Sequence, residues 1–396
     1  MKNKKTEANV ILGINALKII MIIFTGPFLT AYFIKKSAES INDLSIYYIF
    51  SYIILAIGSF AVASIVKNKF RIGMFRVGVI INFFYIIVII VLKEKIIDNL
   101  WLISILYGLS ASAYFFPYNL FVINKIENSE RTRFTVKSII VESLVEVLCP
   151  ILLGSIITVT NYELTAIIIL VISFIQIILS FKLTPERENE LPRFNAKDTW
   201  NRLKKNQQIQ KMSIVEFFVG MNASDGALKI LITILIFNSF KTDMNLGVIT
   251  SIISILAIIV LQIYEKVYKN RNDSKLLTIS SILPVISVLV LLVWRNNLTV
   301  IIYNIIFVIF TKILSVARQV RLYNLADSEI VDKNSQCEFF AIREVILNLG
   351  RITGYTLLLF AGLTGNEIVL NIVMVILTLS ILVMGLNVRK ISKFEE

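Results

Sequence analysis

Long uninterrupted apolar segments constrain the fold of this chain more than any other feature of its sequence. Twelve segments are apolar over about 20 residues, the length that an α-helix needs to cross the hydrocarbon core of a bilayer. They lie at 8–34, 43–66, 73–92, 100–122, 136–159, 163–183, 212–239, 244–265, 276–294, 299–323, 338–361 and 367–388. The strands of a membrane β-barrel would be about ten residues long with alternating polarity. The sequence therefore predicts an all-α integral membrane protein with twelve spans, which we number 1 to 12.

The amino-acid composition agrees with this class and excludes most enzymes. Hydrophobic residues make up 56 % of the 396 residues and charged residues 17 %, against roughly 45–50 % and 25 % in soluble proteins. The chain contains no His, which excludes a His general base and a Ser-His-Asp triad. It also has no Walker lysine motif and no Gly-rich phosphate cradle. We therefore expect no enzyme activity, no metal site and no cofactor.

Lys and Arg are unevenly divided between the two sets of loops. The set that contains both termini carries 27 of them, and the other set carries 6. Because cytoplasmic loops of membrane proteins are enriched in Lys and Arg, we expect both termini to be cytoplasmic, in a multi-pass protein of the cell membrane. The net charge of +13 is then mainly a signal of topology, and we expect no nucleic-acid partner.

One long linker and a short repeat indicate two related halves. The predicted units are an N-terminal six-span bundle (1–183), a cytoplasmic linker loop (184–211) and a C-terminal six-span bundle (212–396). Tyr118-Asn119 ends span 4, and Tyr323-Asn324 ends span 10 at an offset of 205 residues. Repeated halves around a site near the midplane are a common design of transporters. Within the linker, residues 197–211 are predicted to form a short surface helix.

Several short motifs lie where a known family of membrane proteins carries its own. Pro117 and Asn119 lie late in span 4, Glu130-Arg131 follows that span, and span 5 contains Cys149-Pro150-Ile-Leu-Leu-Gly154. The loop between spans 2 and 3 is basic and reads Lys67-Asn-Lys69-Phe-Arg71. In these residues and in its arrangement of six plus six spans, the whole chain resembles the major facilitator superfamily.

The resemblance implies a secondary active transporter with two pseudo-symmetric six-helix bundles, which works by alternating access. It also implies that spans 1, 4, 7 and 10 line a central cavity. In the family, an Asp between spans 2 and 3 is thought to latch the two halves together on the cytoplasmic side, and this chain lacks it. The span 5 motif is typical of antiporters in the family, so the partial copy here slightly favours export. The expected partners are a small-molecule substrate, a proton or other coupling ion and the lipid bilayer, and the chain is expected to be a monomer.

Polar residues on the cavity-lining spans are the candidates for binding substrate, because a charge at mid-bilayer must face a cavity or a partner. They are Lys18, Thr25, Asn222, Asp225, Lys229, Lys312 and Gln319. Asp225 can pair with Lys229 on the same helix, whereas Lys18 and Lys312 have no acidic partner on their own helices. The pattern therefore predicts a small solute that is anionic or has an anionic end. The alternative is that Glu142 or Glu146 reaches Lys18 and leaves a neutral cavity.

A second set of charged residues is a candidate for proton coupling or gating, namely Glu142, Glu146, Glu344 and Arg351. Glu142 and Glu146 lie one turn apart on span 5, and in a chain without His a pair of carboxylates is a sensible proton carrier. Arg351 falls on Glu146 at the 205-residue offset, which suggests points where the halves lock together. Static ion pairs are the alternative for both sets.

Three further charged residues near the cytoplasmic ends of their spans, Glu216, Arg321 and Arg343, are expected to reach water at the interface. The predicted function is a proton-coupled transporter of a small solute. A lipid flippase or a channel-like protein of the same membrane is the alternative.

Overall fold

The computed structural model describes residues 2–36, 40–67, 70–126, 128–184, 193–222, 226–240, 242–269 and 273–392. Over these residues the regular structure is entirely helical. The α-helices are α1 (Lys2–Ile23), α2 (Leu29–Lys36), α3 (Ser40–Val66), α4 (Arg71–Leu92), α5 (Leu100–Lys125), α6 (Asn128–Val159), α7 (Tyr162–Ser180), α8 (Ala196–Leu203), α9 (Gln207–Asn222), α10 (Ala227–Phe240), α11 (Asp243–Lys269), α12 (Asp273–Val293), α13 (Asn297–Ala326), α14 (Gln336–Thr364) and α15 (Glu367–Val388).

Twelve helical stretches are long and apolar enough to cross a membrane, which confirms the predicted number of spans. Span 1 comprises α1 and α2, and span 7 comprises α9 and α10. Spans 2 to 6 are α3 to α7, and spans 8 to 12 are α11 to α15. The remaining helix, α8, lies in the segment between spans 6 and 7, where a helix over 197–211 was predicted. The structure ends this helix at Leu203, and span 7 begins at Gln207.

Span 1 and span 7 each contain two of the described α-helices. In span 1 a π-helical turn, Phe24–Phe28, separates α1 from α2 and contains Pro27. Proline has no N–H to donate to the preceding turn, so the helix widens where the sequence predicts a kink. In span 7, α9 ends at Asn222 and α10 begins at Ala227, and residues 223–225 lie outside the described residues. The irregular turn of span 1 lies well inside that span.

Span 7 is the most deeply buried of the twelve. In its most apolar window 93 % of the residues are buried, whereas the other spans range from 28 % to 56 %. Its contact with span 11 depends on two glycines. A Cβ at Gly220 would overlap the carbonyl oxygen of Leu347, and a Cβ at Gly350 would overlap that of Phe217. Small residues of this kind let membrane helices approach backbone to backbone.

The bundle has two sides, defined by the ends of the spans. The basic side carries both described ends of the chain, Lys67 and the segment 193–206, and the opposite side carries the connections near residues 93–99, 160–161 and 365. Spans 1–6 contact spans 7–12 on both sides. On the basic side Lys67 pairs with Glu338, and on the opposite side the Lys35 ammonium lies 5.7 Å from the centre of the Phe237 ring. The centre of the bundle is thus closed from both sides.

Candidate functional site

A cavity lies between spans 1, 2, 4 and 7, nearer the opposite side than the basic side. Its free volume is about 20 Å³, which is room for a water-sized molecule. Its lining residues are Ile22, Thr25, Gly26, Pro27, Tyr48, Tyr107, Lys229, Ile230 and Thr233. The π turn of span 1 supplies three of them, so the irregular turn shapes one wall. Two of the predicted substrate-binding residues, Thr25 and Lys229, lie in this lining.

Aromatic side chains hold the other wall of the cavity in place. Tyr48 stacks on Tyr355 of span 11, with ring centres 4.7 Å apart and planes 21° from parallel. Tyr107 lies 6.1 Å from Tyr47 and 5.8 Å from Tyr85 between ring centres, and the Tyr47 and Tyr85 hydroxyls share a 2.7 Å hydrogen bond. These tyrosines were not among the predicted site residues. The run of tyrosines at the start of span 2 is the signal that could have identified them.

Lys18 is buried within the first six spans and does not line the cavity. Its ammonium donates a 2.7 Å hydrogen bond to Asn82 Oδ1 and lies 5.3 Å from the centre of the Tyr114 ring. Asn82 Oδ1 also accepts from the Ser110 hydroxyl, at 3.3 Å. Within the residues that the structure describes, no carboxylate lies within ion-pair distance of Lys18. This basic residue is therefore held by an amide and by aromatic rings.

Glu142 and Glu146 lie one turn apart on span 5, but they have different partners. Glu142 accepts hydrogen bonds from Asn15 Nδ2 at 2.7 Å and from the Ser138 hydroxyl at 3.1 Å. Glu146 instead forms a 2.6 Å ion pair with Lys312 of span 10. Their side chains remain partly exposed, at 21 % for Glu146 and 17 % for Lys312. The acidic partner that Lys312 lacks on its own helix thus comes from the other group of six spans.

A buried charge cluster joins spans 7, 10 and 11. Glu216 accepts from Arg318 at 2.9 and 3.0 Å and from Arg343 at 2.6 Å, and Arg343 also pairs with Glu344. Gln319 accepts from Arg318 at 2.7 Å, which ties this predicted substrate-binding residue to the same cluster.

The expectation that Glu216, Arg321 and Arg343 reach interfacial water is wrong. Their exposures are 1 %, 2 % and 9 %. Arg321 donates to Asp273 at 2.8 Å, as well as to two backbone carbonyls. Opposite charges on neighbouring helices replace the water that a lone charge would need, and sequence spacing within one helix does not show those neighbours.

Two further predicted site residues, Asn222 and Arg351, are not among the residues that line the cavity. Asn222 donates to the Ser380 hydroxyl of span 12 at 2.8 Å. Asp225 lies outside the described residues. Arg351 donates to Asn348 at 2.9 Å, and its guanidinium lies 4.8 Å from the centre of the Tyr52 ring on span 2. Arg351 thus contacts an aromatic ring of the first six spans, two turns along span 11 from Glu344.

The basic side is closed by a buried ion pair and by the Tyr-Asn repeat. Glu338, in the first turn of span 11, pairs with Lys67, and both side chains are at most 3 % exposed. Glu338 also accepts from the backbone N–H of Asn195, just before α8, at 2.9 Å. The Tyr323 hydroxyl donates to Asn119 at 3.1 Å, so the two copies of the repeat touch each other. The loop that lacks the family's Asp therefore supplies the cation of an ion pair whose acid lies on span 11.

Known proteins share both the sequence pattern and the fold of this chain. The sequence profile of the Major Facilitator Superfamily matches residues 11–354. The uncharacterized protein YqgE of Bacillus subtilis (strain 168) is 21 % identical over 346 residues, which cover 86 % of this chain and 79 % of that protein. A solved structure of a bacterial homologue of the iron transporter ferroportin, in an outward-facing state with soaked iron, matches with a TM-score of 0.66. Its sequence identity is 10 % and the match covers 98 % of both chains, so it shows the fold alone. With a twelve-span helical fold and a profile match over most of its length, the chain belongs to the major facilitator superfamily.

Proposed function

We propose that this membrane transporter works by alternating access and moves a small solute through the cavity between spans 1, 2, 4 and 7. The observation that carries the proposal is the cavity's position. It lies at the interrupted segment of span 1, beside span 7, with contacts between the two groups of six spans on both sides of it. Interrupted helices near the midplane are where transporters of this kind bind their substrates. In this proposal the units 1–183 and 212–396 move against each other about the linker 184–211.

The proposed substrate is a small organic solute with an anionic end. Lys229 brings a positive charge to the lining, and Thr25 and Thr233 bring hydroxyls. Metal cations such as iron are usually held by carboxylate, thiolate or imidazole ligands, and the described lining residues offer none of these. The bacterial ferroportin homologue therefore supports the mode of transport in this proposal and not its cargo.

The small size of the cavity argues against a lipid. Its free volume of about 20 Å³ has room for a water-sized molecule in this structure, so a substrate would enter only as the two groups of six spans separate. A two-chain lipid would need a much larger space or an open lateral groove. Lipid flipping and channel-like conduction remain the alternatives, and flux measurements separate them from transport of a solute.

Glu142 and Glu146 are the proposed proton-coupling residues. Glu146 holds Lys312 across the two groups of spans, so a proton on Glu146 would cancel the attraction that closes this contact. Among the described residues, the donors to Glu142, one turn away, are an amide and a hydroxyl, so Glu142 can exchange a proton without breaking an ion pair. Entry of a proton through span 5 would thus be linked to separation of spans 5 and 10. Export by proton antiport is the proposed direction, on the partial antiporter motif in the same span.

The decisive experiment is a flux assay in proteoliposomes with an imposed pH gradient. The double variant Glu142→Gln and Glu146→Gln is expected to lose gradient-driven accumulation while it retains exchange of substrate. Glu163→Gln, in the first turn of span 6, is the matched control and is expected to behave like the parent protein. Normal pH-driven transport by the double variant would contradict the coupling proposal.

The proposed topology places both termini and the linker in the cytoplasm of a cell-membrane protein. Lys93→Cys should react with an impermeant thiol reagent added outside intact cells, and Lys197→Cys in α8 should not. The native Cys149 and Cys337 are both buried, so they provide a low background. Labelling of position 197 alone would reverse the orientation.

A further inference from the structure

The cavity lining is divided into a polar end and an aromatic end. Lys229, Thr25 and Thr233 supply the ammonium and hydroxyl groups, while Tyr48 and Tyr107 supply two aromatic rings. A ligand that matches this lining carries a polar group at one end and a flat ring at the other. The class of substrate inferred from this division rests on the proposed function, because it concerns the same cavity.

The two rings are fixed before any ligand arrives. Tyr48 is stacked on Tyr355 and meets the edge of Tyr47, with ring centres 4.7 Å apart in both cases. Tyr107 lies at 61° to Tyr85, with 5.8 Å between ring centres. Rings that are already held in place lose little freedom when a ligand stacks on them. Aromatic pairs also have preferred stacked and edge-to-face geometries, so a planar ligand gains more here than a flexible chain.

The polar end is suited to an anion. An ammonium has three N–H donors, so Lys229 can keep a contact within the protein and still donate to a ligand. The hydroxyls of Thr25 and Thr233 donate to the backbone carbonyls of Met21 and Lys229, both at 2.9 Å, and keep lone pairs directed elsewhere. A carboxylate on Lys229 with a neighbouring hydroxyl would match these groups.

We propose that the transporter binds small planar aromatic anions, with the ring beside Tyr48 and Tyr107 and the anionic group on Lys229. The free volume between these groups is about 20 Å³ in this structure, so the ligand enters between them as the two groups of six spans separate. Lys229 sets the preference for charge, and Tyr107 sets the preference for an aromatic ring.

The test is a binding measurement on the purified full-length protein with three probes of similar size. They are 2-naphthoate, the neutral aromatic 2-naphthol and the aliphatic anion octanoate. We expect the Kd of 2-naphthoate to be lower than that of either other probe by about tenfold, as is typical for loss of a charged or stacking contact in a closed site. Equal affinity for 2-naphthoate and octanoate would overturn the aromatic preference. Equal affinity for 2-naphthoate and 2-naphthol would overturn the anionic preference.

Variants assign the two preferences to their residues. Lys229→Gln should weaken 2-naphthoate by about tenfold and leave 2-naphthol unchanged, because only the charge is lost. Tyr107→Leu should weaken 2-naphthoate and not octanoate, whereas Tyr107→Phe, which keeps the ring, should bind like the parent. Lys275→Gln and Phe360→Leu, both at exposed positions, are the matched controls. Equal weakening of all three probes by Lys229→Gln and Tyr107→Leu would overturn the assignment.

Flux in proteoliposomes separates this inference from the proposed function. Binding of 2-naphthoate without flux of any solute would support the aromatic-anion site and contradict transport. Flux of another solute with no binding of 2-naphthoate would contradict the aromatic-anion site and leave transport intact.

Discussion

Two charged side chains inside the first six spans, Lys18 and Glu142, are held differently from the charge clusters of the last six. In the last six spans Glu216 is surrounded by Arg318 and Arg343, and Arg321 pairs with Asp273. In the first six spans Lys18 donates to Asn82, and Glu142 accepts from Asn15 and Ser138. The clusters therefore neutralise their charges with opposite charges, whereas neutral side chains hold Lys18 and Glu142.

This difference separates structural charges from charges that can change partner. A buried ion pair with good geometry is costly to break, because removing one member leaves the other unpaired in a medium of low dielectric constant. A charge that is held by an amide or a hydroxyl can move, or lose its proton, without leaving an opposite charge behind. The buried ion pairs of the last six spans are thus suited to holding these spans together. Lys18 and Glu142 are suited to changing partner or protonation state during transport. The Glu146–Lys312 ion pair has one member in the first six spans and one in the last six.

The largest expected effect is on the cluster in the last six spans. Glu216→Gln leaves two buried guanidinium groups without their shared carboxylate, and we expect the free energy of unfolding to fall by about 3–5 kcal/mol. Unfolding of the purified protein in mild detergent, followed as the denaturant is increased, measures the change. Glu367→Gln, at an exposed ion pair, is the control. A loss below about 1 kcal/mol would show that the cluster is not a structural unit.

The next effect concerns the pair that joins the two groups of spans. We expect a coupling energy of about 0.5–3 kcal/mol between Glu146→Gln and Lys312→Gln in a double-mutant cycle, because the residues touch and remain partly exposed. The two single variants should also raise the thiol labelling of Tyr118→Cys, since the basic side would open more often. Additive effects of the two changes would contradict a link between the groups.

A smaller effect on stability, with a large effect on transport, is expected at Lys18. Lys18→Met keeps the length of the side chain and removes one hydrogen bond, so the free energy of unfolding should change by about 1 kcal/mol or less. We expect transport to fall by roughly tenfold or more, equivalent to about 1.4 kcal/mol in the barrier, because the uncharged side chain cannot change partner during transport as Lys18 can. Flux and unfolding are measured on the same preparation. A variant that is as unstable as Glu216→Gln and transports normally would reverse the comparison.

The smallest effect is expected at the exposed ion pair on the opposite side. Arg295 and Glu367 are 40 % and 69 % exposed, and exposed pairs typically contribute about 0.2–1 kcal/mol. Arg295→Gln should therefore lower the free energy of unfolding by no more than this and leave flux unchanged. A fall in the free energy of unfolding as large as that of Glu216→Gln would mean that exposed and buried ion pairs contribute equally to stability.

The fold could be predicted from the sequence because hydropathy acts over one helix at a time. Every span is a continuous apolar segment, and the irregular turn at Pro27 follows from a missing N–H that is visible in the sequence. The predictions were poorer wherever the partner of a side chain comes from a second helix. The residue that neutralises Lys312 lies 166 positions away in the chain, and the partner of Lys67 lies 271 positions away.

The same distinction between one helix and two applies to the residues of the candidate site. Thr25 and Lys229 were predicted to bind substrate because polar residues within a span must face a cavity or a partner; both lie in the cavity lining, and their role in binding stays a prediction. The tyrosines of the cavity were missed because an aromatic ring is equally at home against lipid. Glu216 and Arg343 were predicted to reach water because they lie near the ends of their spans. Position along a helix does not show which face of that helix is covered by neighbouring helices.

The close contact between Gly220 and Gly350 also affects how the chain is made. Span 11 leaves the ribosome about 130 residues after span 7, which at about 5–20 residues per second is a delay of the order of ten seconds. During that time span 7, with Glu216 unneutralised and a mean hydropathy of 1.4, has neither of its arginine partners. We therefore expect span 7 to remain at the insertion machinery until spans 10 and 11 arrive, so that the last six spans enter the bilayer as a group and not one by one.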